Sequence, residues 1–185
     1  MNLCTFLLPS RGRIEQLFSA IQSINDSSTG DDYSIVVRID RDDSQTINEK
    51  YRLEELPHVK VVVGEKLTAA LDVEAYQDAA ELMTGTWMTS FNDDMILAGD
   101  WYGQLSLVPT RGCFAQPEIH QLNASVYLKD DQSCLPFFIN RCWEEAGLKI
   151  FPSPIDACMV ALLKSRSWKA WFLPGVAICH NRNKP

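Results

Sequence analysis

The chain has 185 residues, of which 24 are acidic and 17 are basic, so its formal net charge is -7. This length fits one domain over residues 1–185, because soluble domains usually have about 100 to 200 residues. The acidic balance disfavours bulk binding of nucleic acid, since the averaged field repels polyphosphate. The six cysteines include no CxxC pair, which excludes zinc ribbons, and no apolar run approaches the about 20 residues of a membrane span. We therefore expect a cytoplasmic protein.

Apolar runs and helical spacings alternate along the first half of the chain. Runs rich in β-branched residues predict strands, and apolar residues spaced three and four apart predict helices. The predicted elements are a strand over 4–9, a helix over 14–24, a strand over 33–40, a helical segment over 46–56, a strand over 58–63, a helix over 71–83 and a strand over 86–91. This alternation predicts an α/β fold in which helices cover both faces of a mostly parallel, Rossmann-like sheet.

The second half of the chain has fewer strong patterns. They predict a strand over 112–119, a helix over 135–146, a helix that begins at Asp156 and ends near residue 164, and a strand over 172–179. The carboxyl ends of parallel strands share one edge of a sheet, and ligands of open α/β folds bind at that edge. The residues that follow each predicted strand are therefore the candidates for a site.

The strongest signal is the acidic turn Asn92-Asp93-Asp94, which follows the fourth predicted strand. Two adjacent carboxylates repel each other, and a divalent cation or an arginine relieves this repulsion best. Mg2+ and Mn2+ prefer such oxygen ligands and complete their coordination with substrate phosphates. The alternative is a plain turn in which an aspartate caps the next helix.

Two more polar segments follow predicted strands. Asp40 and Asp42 follow the second strand and could accept hydrogen bonds from a ribose or a base, with a solvated loop as the alternative. The segment from Pro9 to Arg13 offers backbone N–H groups at a helix start and two guanidinium groups for anionic oxygens, with a plain exposed helix start as the alternative. Together with Arg38 these arginines form a local basic patch that could hold phosphates. The segment is not a P-loop and the chain has no GxGxxG, so P-loop hydrolysis and dinucleotide binding are disfavoured.

Three residues further along are candidates for contacts with an acceptor. Trp101 and Tyr102 follow the acidic turn and predict an aromatic wall for a sugar, with core packing as the alternative. Glu118, at the end of the fifth predicted strand, could contact donor or acceptor hydroxyls, with an ordinary strand-end acid as the alternative.

The order of these motifs resembles the glycosyltransferase A fold, most closely the short glycosyltransferase-like proteins of bacteria and phages. The resemblance covers nearly the whole chain, and its motifs are Pro9-Ser-Arg-Gly-Arg13, Asp40-Arg-Asp-Asp43, a Gly-Thr-Trp strand into Asn92-Asp-Asp-Met95, and Pro154-Ile-Asp156 at a helix start. It implies a hexosyltransferase-like enzyme that uses a nucleoside diphosphate sugar as donor, with Mn2+ or Mg2+ as cofactor.

The resemblance also implies a role for each candidate residue. Donor-binding residues would be Pro9, Ser10, Arg11, Arg13, Asp40, Asp42 and Asp93. The metal would bind Asp94 and His180, with a structural or exposed histidine as the alternative for His180. Asp156 would be the general base of an inverting reaction, with a plain helix cap as the alternative. Asn92 stands where the family's motif has its first aspartate, and this departure weakens the metal assignment.

The acceptor and two rival functions stay open at this point. A hydroxyl acceptor could belong to a glycan, a lipid-linked sugar, a protein or a modified DNA base of a phage. A nucleotidyltransferase of related architecture would normally carry a glycine-rich N-terminal loop followed by a lysine, and the segment from Pro9 to Arg13 lacks that form. A non-catalytic nucleotide-sugar-binding module would bind the donor without turnover.

Overall fold

The computed structural model of the chain describes residues 2–66, 72–121, 138–140 and 162–180. The strands are β1 (Cys4–Ser10), β2 (Tyr33–Asp40), β3 (Val59–Gly64), β4 (Trp87–Ser90), β5 (Met95–Ala98), β6 (Cys113–Gln121), β7 (Phe138–Asn140) and β8 (Lys169–His180). The helices are α1 (Ile14–Asp26), α2 (Ser44–Asn48), α3 (Lys50–Glu54), α4 (Asp72–Ala80) and α5 (Trp101–Ser106). Residues 162–165 are also helical. Within these ranges no helix is long and apolar enough to cross a membrane.

The described strands form one sheet in the order β3-β2-β1-β4-β7-β6-β8-β5. The pairs β3-β2, β2-β1, β1-β4 and β6-β8 are parallel, whereas β7 and β5 run against their neighbours. Six strands therefore share one direction, and the carboxyl ends of β1, β2, β4 and β8 lie at the same edge of the sheet. The predicted α/β fold with a parallel central sheet is confirmed.

Strands β1 and β2 are buried on both faces, which explains their nearly continuous apolar sequences. Phe6 and Leu8 pack in the core cluster that contains the apolar side of α1, whereas Leu7 packs with Tyr76 and Ala79 of α4. Successive side chains of a strand point to opposite faces, so α1 and α4 cover opposite sides of the sheet. This two-sided packing holds the strand ends, and the loops that follow them, in fixed positions.

One predicted element is wrong where the structure describes it. The helix predicted over 135–146 is a strand at residues 138–140, which pair antiparallel with β4 on one side and with β6 on the other. Short apolar runs do not distinguish strand from helix by periodicity, and here pairing with two neighbours decides for the strand. The remainder of that prediction, and the predicted start of the helix at Asp156, lie outside the described residues.

Strand β5 and helix α5 are not predicted by the sequence patterns, and they change the course of the chain after the acidic turn. β5 pairs antiparallel with β8 at one end of the sheet, so it runs back from the carboxyl edge to the opposite edge. Four residues of strand span about 13 Å. Helix α5 then begins after Asp100, whose carboxylate accepts a hydrogen bond from the backbone N–H of Gly103 at 2.8 Å. Residues after β5 therefore lie away from the acidic turn.

Candidate active site

Three loops meet at the carboxyl edge of the sheet. They follow β1, β2 and β4, the strands that lie side by side in the order β2-β1-β4. The loops and strand ends enclose a cavity of about 190 Å³, which is lined by Pro9, Ser10, Arg11, Arg13, Arg38, Asp40 and Asn92. Most of the donor-binding residues that the sequence predicts are therefore brought together around one space.

Arg11 binds both predicted acidic residues at the end of β2, Asp40 in the strand and Asp42 in the loop that follows it. Its Nη1 contacts Asp40 and lies 2.5 Å from Oδ1 of Asp42, and its Nη2 donates a hydrogen bond to Oδ2 of Asp42 at 3.1 Å. The hydrogen bond from Arg11 lowers the pKa of the exposed Asp42 carboxyl to about 2. The guanidinium group of Arg11 thus joins the loop after β1 to the end of β2 by bridging two carboxylates.

Asp40 is buried, and a second arginine holds its other oxygen. Arg38, which is also buried, contacts Oδ1 of Asp40, donates from Nε to Asp78 of α4 at 3.1 Å and donates from Nη2 to the carbonyl of Glu65 at 2.5 Å. A Cβ on Gly64 would overlap the Arg38 guanidinium, so glycine at this position makes room for it. The sequence patterns place Arg38 only in a basic patch. A charged residue two positions before Asp40 in an otherwise apolar strand is the signal that could have identified the pair.

Asp93 is almost completely buried, with 1% of its surface exposed. The hydroxyl of Ser10 donates a hydrogen bond to its Oδ2 at 2.6 Å, and Nη2 of Arg13 lies 2.5 Å from its Oδ1. Burial raises the pKa of the Asp93 carboxyl to about 6, because the loss of hydration outweighs the favourable contacts with Ser10 and Arg13. The site therefore holds a carboxylate that the surrounding protein stabilises poorly.

Asp94 lies between Arg13 and His180. Nε2 of His180 is 3.2 Å from its Oδ1, and Nη1 of Arg13 is 3.5 Å from its Oδ2. Burial acts to raise the pKa of Asp94, but the contact with His180 and the charge of Arg13 outweigh it and lower the pKa below its ordinary value. The antiparallel register pairs Met95 with His180, and this pairing places the histidine beside the acidic turn.

The chain matches no protein-family model, and no curated protein matches its sequence. Its structure is similar to solved structures of longer chains. The structure of S. aureus TarS 1-349 in complex with UDP-GlcNAc superposes with a TM-score of 0.79 at 11% identity, and the match covers 100% of this chain and 60% of that chain. GalNAc-T7 with UDP, GalNAc and Mn2+ superposes with a TM-score of 0.69 at 15% identity, over 99% of this chain and 45% of that chain.

These neighbours are glycosyltransferases of the A type. The chain has the glycosyltransferase A fold. The fold that the sequence motifs imply is therefore confirmed. Since the identities are low and the chain spans 60% of the TarS structure, the likeness establishes the glycosyltransferase A fold alone.

The acidic turn at residues 92–94, with His180 beside it, has oxygen and nitrogen atoms of the kind that divalent cations bind. Oδ1 of Asp93 and Oδ1 of Asp94 are buried, and neither accepts a hydrogen bond of normal geometry. Carboxylate oxygens with a nearby imidazole are acceptable ligands for Mn2+ and Mg2+. The described residues include no group of three or more acidic, histidine or cysteine side chains placed to hold a metal. The two side chains of the metal prediction, Asp94 and His180, lie beside each other at 3.2 Å, and their role as metal ligands stays a prediction.

Asn92 differs from the family's first aspartate in charge and also in what it contacts. Its Oδ1 accepts a hydrogen bond of 2.6 Å from the hydroxyl of Tyr76 on α4. The side chain thus ties the acidic turn to the helix below it, and its amide oxygen is already engaged. Within the described residues, Asp93 and Asp94 carry the negative charge of this turn.

The prediction that Trp101 and Tyr102 form an acceptor wall is wrong. Trp101 is fully buried, and its indole Nε1 donates a hydrogen bond of 2.9 Å to the carbonyl of Ile24. The hydroxyl of Tyr102 donates to Asp32, in the loop that precedes β2 and therefore at the opposite edge of the sheet. The sequence does not reveal that β5 carries the chain away from the acidic turn, and this is the physical reason for the error.

The roles predicted for Glu118 and Asp156 also stay predictions. Glu118 is exposed on β6, where it pairs with Ala177, whereas Gln121 of the same strand pairs with His180. Along β6, Glu118 thus lies three residues, or about 10 Å, before the residue that pairs with His180. Asp156, the predicted general base, lies outside the described residues.

Proposed function

We propose that this protein is a glycosyltransferase that moves a sugar from a nucleoside diphosphate sugar to a hydroxyl acceptor. The observation that carries the proposal is the convergence of the loops after β1, β2 and β4 on one cavity, with two arginine–carboxylate clusters around it. Arginines bind diphosphate oxygens, and carboxylates bind ribose hydroxyls or base N–H groups, so the cavity offers partners for each part of a nucleotide.

The donor contacts follow from the side chains that face the cavity. Asp40 is a fixed acceptor, because Arg38 and Arg11 hold its two oxygens, and it is proposed to receive hydrogen bonds from the base or ribose. Asp42 is proposed to contact the ribose. Arg13 and Ser10 lie beside the acidic turn and are proposed to bind the diphosphate. UDP is the first nucleotide to test, because the TarS and GalNAc-T7 structures contain UDP or a UDP-sugar.

The proposed cofactor is Mn2+ or Mg2+, held by Asp94 and His180, with Asp93 beside them. A bound ion would neutralise the charge that develops on the leaving diphosphate. The protein holds this end of the donor in a pocket whose backbone is fixed by the central sheet, so the diphosphate and the anomeric carbon are oriented before reaction. The Mn2+ in the GalNAc-T7 structure makes the same ion a reasonable first probe here.

We further propose an inverting reaction in which Asp156 is the general base. Its carboxylate would take the proton of the acceptor hydroxyl while that oxygen forms a bond to the anomeric carbon. The bond from the anomeric carbon to the diphosphate oxygen breaks at the same time, and its electron pair leaves with the diphosphate. A helix N-terminus, where the sequence predicts Asp156, keeps a carboxylate ionised at neutral pH.

Calorimetric titration with UDP, GDP, ADP and CDP, each with and without Mn2+, tests the donor site. We expect one nucleotide to bind in a Mn2+-dependent manner, and Asp94→Asn to weaken that binding by at least about tenfold. Asp31→Asn is a matched control, because this exposed aspartate precedes β2 at the other edge of the sheet. Wild-type protein that binds none of these nucleotides would contradict the proposal. Binding without sugar release from the matching nucleotide sugar, for any acceptor, would identify the non-catalytic module instead.

A further inference from the structure

The guanidinium group of Arg13 occupies the acidic end of the cavity. Its Nη2 is 2.5 Å from Oδ1 of Asp93 and its Nη1 is 3.5 Å from Oδ2 of Asp94. The two carboxylates are adjacent and mostly buried, so the positive charge of Arg13 offsets a repulsion that would otherwise be strong. Arg13 therefore lies against the same two carboxylates that a divalent cation would be expected to bind.

We propose that Arg13 is an exchangeable counter-ion, which neutralises Asp93 and Asp94 in the ligand-free protein and turns to the diphosphate when the donor binds. This inference rests on the proposed function and adds a coupling between its two ligands. With Arg13 on the acidic turn, the protein binds a divalent cation weakly. Once Arg13 has moved to the phosphate oxygens, both carboxylates are free for the cation.

The chemistry of the side chain suits such an exchange. A guanidinium group binds carboxylate and phosphate oxygens with the same two-pronged geometry, so either partner satisfies it. The side chain of Arg13 is 47% exposed, whereas that of Asp93 is 0% exposed, so the arginine is the partner that can move. Arg13 is also the N-cap residue of α1, but its side chain makes no capping hydrogen bond, and its movement leaves the helix start intact.

Arg11 does not serve the same purpose, although it is in the same loop. Its ion pairs are with Asp40 and Asp42, at and just after the end of β2, and not with the acidic turn. The loop therefore contains two arginines with the same charge and different partners. Replacing each in turn separates the effect of the Arg13 contact from the effect of removing one positive charge from the site.

Binding linkage gives the inference a measurable consequence. If Arg13 competes with the cation, removing it must strengthen binding of the cation alone, and must reduce the extent to which UDP strengthens that binding. A purely structural role for Arg13 would not strengthen binding of the cation alone, because loss of structure weakens the binding of both ligands.

The experiment measures Mn2+ affinity by electron paramagnetic resonance of free Mn2+, with and without UDP, for wild type, Arg13→Gln, Arg13→Lys and Arg11→Gln. Circular dichroism confirms that each variant is folded. We expect Arg13→Gln to bind Mn2+ alone on the order of tenfold more tightly than wild type, and to show a smaller gain on adding UDP. Arg13→Lys, which keeps the charge, and Arg11→Gln, which leaves the acidic turn paired, should bind Mn2+ in the absence of UDP with an affinity within about twofold of wild type.

The outcomes separate this inference from the proposed function. Unchanged or weaker Mn2+ binding by folded Arg13→Gln, in a protein that still binds UDP with Mn2+, overturns the counter-ion role and leaves the donor site standing. An equal gain in Arg11→Gln also overturns it, because the effect would then be that of net charge. Failure of every form to bind either Mn2+ or UDP contradicts the proposed function, and the counter-ion role with it.

Discussion

Replacing Asp93 with asparagine should make the ligand-free protein more stable at neutral pH. The pKa of the buried Asp93 carboxyl is about 6, against an ordinary value of 3.8. At about 1.4 kcal/mol per pKa unit, the ionised form destabilises the folded state by up to roughly 3 kcal/mol at pH 7.5. Asparagine has nearly the same shape without the charge, and its amide oxygen can still accept the hydrogen bond from Ser10.

The sign of the effect fixes its pH dependence. Below pH 3.8 the carboxyl is protonated in both the folded and the unfolded chain, so Asp93 contributes nothing. Between 3.8 and about 6 the unfolded chain loses the proton while the folded protein keeps it, and the destabilisation grows. Above about 6 it is fully present. The stability gained in Asp93→Asn should therefore be largest at pH 7.5 and small at pH 4.

Thermal and urea unfolding in a chelating buffer, at both pH values, measures this difference. At roughly 2 to 4 °C per kcal/mol, the Tm of Asp93→Asn should rise by up to roughly 10 °C at pH 7.5. Asp42→Asn is the control, since Arg11 lowers the pKa of Asp42 to about 2 and the same substitution there should not stabilise the protein. A lower Tm for Asp93→Asn at pH 7.5 would refute the reasoning, because it would show that Arg13 and Ser10 fully compensate the buried charge.

Two further substitutions test how the loops are held. Asp43→Ala should lower the free energy of unfolding by about 1 to 2 kcal/mol in a urea titration. The reason is that this N-cap carboxylate of α2 accepts hydrogen bonds from Thr46 and, at 2.8 Å, from the backbone N–H of Gly12. Asp43→Asn keeps an acceptor and should lose less stability in the same titration. Gly64→Ala should destabilise the protein by about 1 to 3 kcal/mol and weaken UDP binding, because the added Cβ would overlap the buried Arg38 guanidinium. An unchanged Tm and an unchanged UDP affinity would show that Arg38 can shift freely.

The central features of the site follow from local sequence patterns. Apolar runs identify β1, β2 and β4, and parallel strands in one sheet must bring their carboxyl ends to one edge. The acidic residues Asp40, Asp42, Asp93 and Asp94 directly follow such runs, so their convergence is predictable without knowing the packing. The first helix is predicted well for a similar reason, because its apolar stripe from Ile14 to Ile24 has one clear period.

The remaining features of the fold and of the site depend on contacts between segments far apart in sequence, which no local pattern reveals. The four-residue strand β5 has no distinctive period, and only its pairing with β8 shows that Trp101 is carried into the core. The partners of Arg11 and Arg13 depend on the distance between loops that are far apart in sequence. Similarly, the strand at residues 138–140 exists because β4 and β6 flank it on both sides.

A nucleoside diphosphate is proposed to bind at the carboxyl edge of the sheet, between the loops after β1, β2 and β4. An amide chemical-shift map recorded on adding UDP with Mg2+ tests it most directly. We expect the largest shifts in segments 10–13, 40–43 and 92–95, with little change in segments 29–32 and 101–106 at the opposite edge. Largest shifts at that opposite edge, or saturating UDP with no shift near Asp40 and Asp94, would contradict it.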